Sequence, residues 1–405
     1  MVEHLLIALI ALLGAAKLGG AAAERIGQPA VLGELLAGIA LGALPLLGLD
    51  VFAFIGHDQV VDALADLGVI LLLFEVGLST RLADLMKVGL SAFLVAAIGV
   101  IVPMALGYLV GVWLLPGSHP YVPLFLGATL SATSVGITAR VLQDMGRVQT
   151  VEGQIILGAA VIDDVMGLLV LAVMVGLLGG SKVGTAATAA IVTAKAVAFI
   201  GGALLLGRWL APRLFRVTAR LRGRGVVFTA ALVTAFVLAL VADAAGLAPI
   251  VGAFAAGLVL EGVPFDEILP QGESLEKLLL PLSSVLVPIF FVRMGLRVNL
   301  PELAGSSIVL ALGLTVAAVV GKQACALAVV NRGADRLTVG LGMIPRGEVG
   351  LIFAGMGLQT KFGGSPVLSS GAFAAVVAMV MATTILTPPL LRWRLGHAPA
   401  AVEPG

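Results

Sequence analysis

An all-α integral membrane protein of about thirteen transmembrane helices is the fold class that the sequence predicts, and three observations predict it. The 405 residues are 60% hydrophobic and only 12% charged, with a mean hydropathy of +1.14, outside the range of soluble globular chains. Apolar runs of about 20 residues, the length that spans a bilayer as a helix, recur from end to end. Lysine and arginine collect in alternate connecting loops, as they do in a multi-pass protein.

The predicted helices cover residues 5–23, 29–47, 59–78, 89–115, 122–143, 151–178, 186–213, 225–245, 249–262, 275–297, 304–330, 336–360 and 368–393. The ninth is the shortest. Met1-Val2-Glu3-His4 lacks the basic flank of a secretory signal, so the first run is expected to stay as a helix. One set of alternate loops carries Arg25, Arg81, Lys87, Arg147, the cluster Arg213, Arg216, Arg220, Arg222 and Arg224, then Arg332, Arg336, Arg392 and Arg394. The other set has little beyond Lys182, Arg297 and Lys361. The positive-inside rule then predicts an outside N-terminus and a cytoplasmic C-terminus.

The net charge of +1 gives no nucleic-acid footprint, and a single cysteine, Cys325, excludes an internal disulfide framework. The histidines (His4, His57, His119 and His397) stand apart from one another, so no cofactor, haem or structural metal is expected.

Short motifs recur at nearly constant separation. Leu32-Gly33-Glu34-Leu35-Leu36-Ala37-Gly38-Ile39 parallels Val251-Gly252-Ala253-Phe254-Ala255-Ala256-Gly257-Leu258; Phe74-Glu75-Val76-Gly77-Leu78 parallels Val292-Arg293-Met294-Gly295-Leu296; Val135-Gly136-Ile137 parallels Val349-Gly350-Leu351. The offsets are 219, 218 and 214, and each match joins helices seven apart. An odd separation reverses orientation. Two inverted repeats, helices 1–6 and 8–13 joined by helix 7, are therefore expected, with a transport site near the midplane where they meet.

Four features converge at that depth. Asp163 and Asp164 sit in the middle of the sixth run, about 18 Å from its cytoplasmic end at 1.5 Å per residue. Lys322 reaches a similar level, counting the length of its side chain. Ser131-Ala132-Thr133-Ser134 in helix 5 and Pro345-Arg346-Gly347-Glu348 in helix 12 combine hydroxyls, proline and glycine, which read as two crossed helix breaks. Packing kinks are the plainer alternative. Charge at the bilayer centre costs at least about 2.5–3.5 kcal/mol per residue on insertion scales, and such residues usually line ion or proton paths. Adjacent helix positions are about 100° apart, so one aspartate can face a cavity and the other a neighbouring helix. A carboxylate held this way binds a proton or a small cation, and competition between them produces exchange. An Asp163–Lys322 pair that only fixes packing is the alternative.

Arg346 and Glu348 flank the helix 12 break and are expected to hold it. Glu34 is open between a helix cap and a gate, Glu75 and Arg293 are expected to snorkel separately, and Lys17 has no assigned role.

Gly158-Ala159-Ala160-Val161-Ile162-Asp163-Asp164-Val165 resembles the ion-binding helix of bacterial sodium/proton antiporters of the monovalent cation/proton antiporter-2 group, Asp-Asp type. Val31-Leu32-Gly33-Glu34-Leu35-Leu36-Ala37-Gly38, Gly252-Ala253-Phe254-Ala255-Ala256-Gly257-Leu258 and Pro345-Arg346-Gly347-Glu348 are similar to its other motifs. The resemblance covers essentially the whole membrane region. It implies a sodium/proton antiporter fold and a homodimer, with residues 1–80 and 186–297 as mainly dimerisation and scaffold helices (186–213 the linker) and 89–178 and 304–393 as a moving core. It makes Asp164 the principal cation and proton carboxylate, and Asp163 a partner that pairs with Lys322 when the ion is absent. Na+ would bind at Asp164 and Asp163, with Thr133 and Ser134 beside it.

The expected function is secondary active exchange of Na+ or Li+ for H+ across a bacterial inner membrane by alternating access. It is expected to be electrogenic, with a role in pH homeostasis. The chain is expected to be one transport unit over residues 1–405, not an enzyme, without a soluble regulatory domain. Potassium/proton exchange is the nearest alternative. A cation channel and a sodium-coupled organic-anion symporter lie further off.

Overall fold

The structure, a computed structural model, describes residues 2–47, 54–56, 58–177, 185–218, 225–265, 274–296, 306–362 and 365–396. Its helices are α1 (Val2–Arg25), α2 (Ala30–Ala43), α3 (Gln59–Leu78), α4 (Leu82–Lys87), α5 (Gly89–Leu114), α6 (Tyr121–Ser131), α7 (Val135–Asp144) and α8 (Val151–Leu177). They continue as α9 (Thr185–Thr218), α10 (Val226–Ala244), α11 (Pro249–Glu261), α12 (Leu275–Leu296), α13 (Ser306–Ala324), α14 (Arg336–Gly342), α15 (Glu348–Gln359) and α16 (Ser370–Gly396).

Each expected span falls on one of these helices or on a broken pair, α6/α7 and α14/α15. Among the described residues, seven helical stretches are long and apolar enough to cross a membrane, and an eighth if the bend of 43° within α9 is counted as one span. Three features were not expected. The short α4 lies between the third and fourth spans. Lys361–Phe362 pairs antiparallel with Ser365–Pro366. The last turn of the α13 span is a 3-10 helix, Cys325–Ala328. Lys182, Arg220, Arg222, Arg224, Arg297, His57 and His397 lie outside the described residues.

Local chemistry sets the turns. Asp58 caps α3 by accepting from the Val60 and Val61 amides at 2.8 and 3.2 Å. Gly27 after α1 and Gly246 after α10 adopt φ of 73° and 83°. Each closes its helix with the same pair of bonds: Gly27 N–H to Glu24 and Gln28 N–H to Ala23, then Gly246 N–H to Asp243 and Leu247 N–H to Ala242. This left-handed stop favours glycine.

Glycines also set the close crossings. A Cβ at Gly38 would strike the Val292 carbonyl, and Gly38 meets Gly295; a Cβ at Gly257 would strike the Phe74 carbonyl, and Gly257 meets Gly77. The two contacts are counterparts, since Gly257 lies 219 residues after Gly38 and Gly295 lies 218 after Gly77. Gly33 packs on Gly19 as Gly252 packs on Leu238, again 219 apart. Gly68 meets Leu286, a residue 218 further on, so that this contact is its own counterpart.

The helices sort into two groups by packing. One contains α1, α2, α3 and α9 to α12; the other contains α5 to α8 and α13 to α16. The groups meet chiefly along α8–α9, α3–α7, α2–α7 and α2–α16.

Candidate functional site

The two breaks cross. Helix α6 stops at Ser131, and Ala132 to Ser134 run extended before α7 begins. Helix α14 stops at Gly342, and the chain stays non-helical until α15 starts at Glu348. Pro345 has no amide hydrogen, so it cannot continue α14. The extended segments bind each other: the Ser134 amide donates to the Pro345 carbonyl at 2.8 Å. Thr133 Oγ1 donates to the Met343 carbonyl at 3.4 Å, and Thr138 Oγ1 donates to the Gly342 carbonyl at 2.6 Å. A Cβ on Gly347 would lie 2.7 Å from Ser134 Oγ, so glycine permits the crossing.

A helix end buried in a bilayer needs partners for its last carbonyls, and a cation suits its negative pole. Lys322 Nζ donates to the Ser131 carbonyl at 2.9 Å, and Arg346 Nη1 donates to the Ala132 carbonyl at 2.8 Å. Both side chains are fully buried. Thr384 Oγ1 in α16 donates to the Arg346 carbonyl at 2.8 Å, which fastens the second break from behind.

Asp163 and Asp164 project from α8 in different directions. Asp163 is fully buried, its Oδ2 3.4 Å from Lys322 Nζ, and Arg346 lies close enough to add a second favourable charge. Among the described residues its other oxygen has no hydrogen-bond partner. Asp164 instead lines a cavity of about 460 Å³, whose floor includes Gly167, Gly347 and Val349. Three acids further out, Asp62, Asp66 and Asp243, share that cavity with Arg293. They lie at the start of α3 and the end of α10, so the cavity runs from the midplane toward the face of the α10–α11 turn. Toward the other face, Gly136 lies against Val69 and Phe290, which line the cavity, and against Leu72, which does not, an apolar contact that closes the cavity's end.

Thus Asp163, Asp164, Thr133, Ser134, Lys322 and Arg346 come together. Glu348 opens α15 beside them, while its side chain lies outside the described residues. Some expectations are corrected. Arg293 does not snorkel alone: it pairs with Asp62 at 2.6 Å and donates to the Gly56 carbonyl at 2.9 Å. Glu75 is buried and accepts from Gln143 Nε2 at 3.2 Å. Glu34 does not cap α2, since Pro29 occupies the cap; its carboxylate lies 3.8 Å from Arg140.

Lys17 has a definite partner, the Ser284 carbonyl at 3.0 Å. Pro288, four residues on, cannot donate to that carbonyl, which is the signal that could have revealed the contact. Asp62 and Asp66, one helical turn apart, could likewise have been read as one face of α3.

The match to known proteins follows the same elements. The family model described as sodium/hydrogen exchanger, transmembrane, covers residues 7–393. The chain belongs to the sodium/hydrogen exchanger family. It is 36% identical to the high-affinity Na(+)/H(+) antiporter NhaS3 of Synechocystis sp., over 96% of this chain and 89% of that protein. It is 35% identical to the Na(+)/H(+)-K(+) antiporter GerN of Bacillus cereus, over 98% and 97%. In fold it is similar to the sodium proton antiporter MjNhaP1 of Methanocaldococcus jannaschii, with a TM-score of 0.69 over 99% of this chain and 100% of that one, at 18% identity. The chain is therefore a multi-pass membrane transporter of the antiporter fold and not an enzyme.

Proposed function

We propose that this protein exchanges Na+, or Li+, for H+ by alternating access, with Asp164 as the carboxylate that protons and cations share. The observation that carries the reading is the unequal setting of the two aspartates. Asp164 lines a cavity of about 460 Å³, whereas Asp163 is sealed against Lys322. A site that reaches one face at a time and binds either ion, never both, couples their movements.

The remaining parts follow from the same reading. Helices α5 to α8 and α13 to α16 form the moving core, and α1 to α3 with α9 to α12 form the scaffold, on which two copies dimerise. The thin contact between the groups supports this division. The paired glycine contacts at offsets of 219 and 218 support an origin of the two halves as inverted repeats. Thr133 and Ser134 supply oxygens beside the cation, and the positive N-terminal ends of α7 and α15 balance the carboxylates. Asp163 exchanges Lys322 for the cation when it binds. Lys322 can then release a second proton, so we propose more than one proton per cation and electrogenic exchange.

Alternate-loop arginines support an inner-membrane protein with a cytoplasmic C-terminus, which makes the cavity face the outside. In proteoliposomes under an imposed sodium gradient, the wild type acidifies or alkalinises the lumen as sodium moves, and Asp164→Asn does not. Sodium-driven proton movement by Asp164→Asn would overturn the assignment. Potassium is the second reading, since GerN, 35% identical, is named a Na(+)/H(+)-K(+) antiporter. Replacing Na+ by K+ in the same assay separates the two.

A further inference from the structure

We infer that Arg140 and Gln143 on α7, with Glu34 on α2 and Glu75 on α3, form a polar latch that holds the face opposite the cavity closed. The inference rests on the alternating-access reading above and names the contacts that reading must break.

Three side-chain contacts join the two helix groups on that face. Arg140 Nη2 lies 3.8 Å from Glu34 Oε1. Gln143 Nε2 donates to Glu75 Oε2 at 3.2 Å. Just beyond α7, Gln149 Nε2 donates to the Ser79 carbonyl at 3.3 Å. Arg140 and Gln143 are three positions apart and so share one face of α7. Arg140 is held in place by Asp144 on the same helix, with Nε 2.8 Å from its Oδ1.

The position of α7 gives these contacts leverage. It begins at the break beside Asp164, so the half-helix that carries the latch also carries one wall of the ion site. At the end of the cavity toward the latch, Gly136 lies against Val69, Phe290 and Leu72, an apolar seal. Along α3 the sequence of functions is continuous: Ala65 and Val69 line the cavity, Leu72 meets the seal, and Glu75 holds the latch. Any motion that carries Asp164 to the other face must part α7 from α2 and α3, and hence must break all three contacts.

The latch is built to release. Glu34 and Glu75 are both buried, and among the described residues Glu34 keeps its Oε2 without a hydrogen-bond partner. A buried carboxylate so incompletely satisfied gains hydration when its side opens, which offsets the lost contact. Glu75 also lines a second cavity, of about 310 Å³, with Ser79, Gln143, Gln149 and Glu276.

The test is reciprocal thiol labelling of detergent-purified protein, in which both faces are accessible to a polar maleimide. Leu72→Cys reports the sealed side and Ala65→Cys the cavity, each in a Cys325→Ala background. Arg140→Ala should raise the labelling rate at position 72 about tenfold and lower it at position 65, because weakening one closed state populates the other. The swap of Glu34→Arg with Arg140→Glu should return both rates toward the starting values. Gln143→Ala should act in the same direction as Arg140→Ala, to a smaller extent. A rise at both positions, which reports general loosening, or at neither, overturns the latch. Sodium-driven proton movement is measured separately in the same background. Its absence would overturn the antiporter reading, while the labelling would still report whether the contacts hold the face closed.

Discussion

Asp163 and Asp164 stand about 100° apart around one helix, both buried, and face different neighbours. Asp163 has a lysine at 3.4 Å, a buried arginine nearby and no exposure. Asp164 borders a cavity that three further acids share. A charge sealed beside two cations is held in place by them. A charge beside water can change partners. In the proposed mechanism one residue of chain separates a fixed electrostatic element from an exchangeable one, which is what a coupled transporter needs at its centre.

Removing the exchangeable carboxylate should have the largest effect. Asp164→Asn should reduce sodium/proton exchange by about a hundredfold or more, as loss of an essential group does, with little change in melting temperature, since the side chain already faces a cavity. Vesicle exchange assays and thermal melts on one preparation check both halves of this statement.

On the sealed side the balance is reversed. Lys322→Ala leaves Asp163 and the Ser131 carbonyl without their partner, and breaking a buried pair by removing one member typically costs about 3–5 kcal/mol. A lower melting temperature is expected, and the proton count per cation should fall. An unchanged melt together with an unchanged proton count would remove Lys322 from both roles. Arg346→Ala should lower stability by about 1–3 kcal/mol, because the Ala132 carbonyl loses a buried donor. Arg346→Lys should restore only part of it, since a lysine lacks the guanidinium fork.

The smallest effect lies far from the site. Arg394 holds Asp335 by two bonds, at 2.7 and 3.0 Å, and these keep the Asp335 carboxyl below its ordinary range. Because the folded state lowers this pKa, the clip contributes above the unfolded aspartate value and is lost as pH falls through the folded one. Asp335→Asn should therefore lower the melting temperature slightly at neutral pH and by less at acid pH. A pH series of melts reads the difference.

Much of this contrast was legible in the sequence because a bilayer makes composition so informative. Charges in an apolar run, Pro345 and Gly347 within a helix, and the offset of 219 each state a physical exception that needs a partner. That Asp163 and Asp164 face different surroundings follows from helical geometry; which of them would carry the ion came from the resemblance. Contacts between the two helix groups were not legible. Arg140 near Glu34 and Gln143 near Glu75 depend on how separate helices approach, and no period within one segment reports that. The expectation that Arg293 snorkels failed for the same reason: Arg293 finds Asp62 on another helix, which spacing along its own cannot show.

Sodium-induced proton release from the purified, weakly buffered protein tests the shared carboxylate most directly. Adding Na+ to the wild type should release protons, and the release should disappear in Asp164→Asn but persist in part in Lys322→Ala. Proton release of wild-type size from Asp164→Asn would contradict the account.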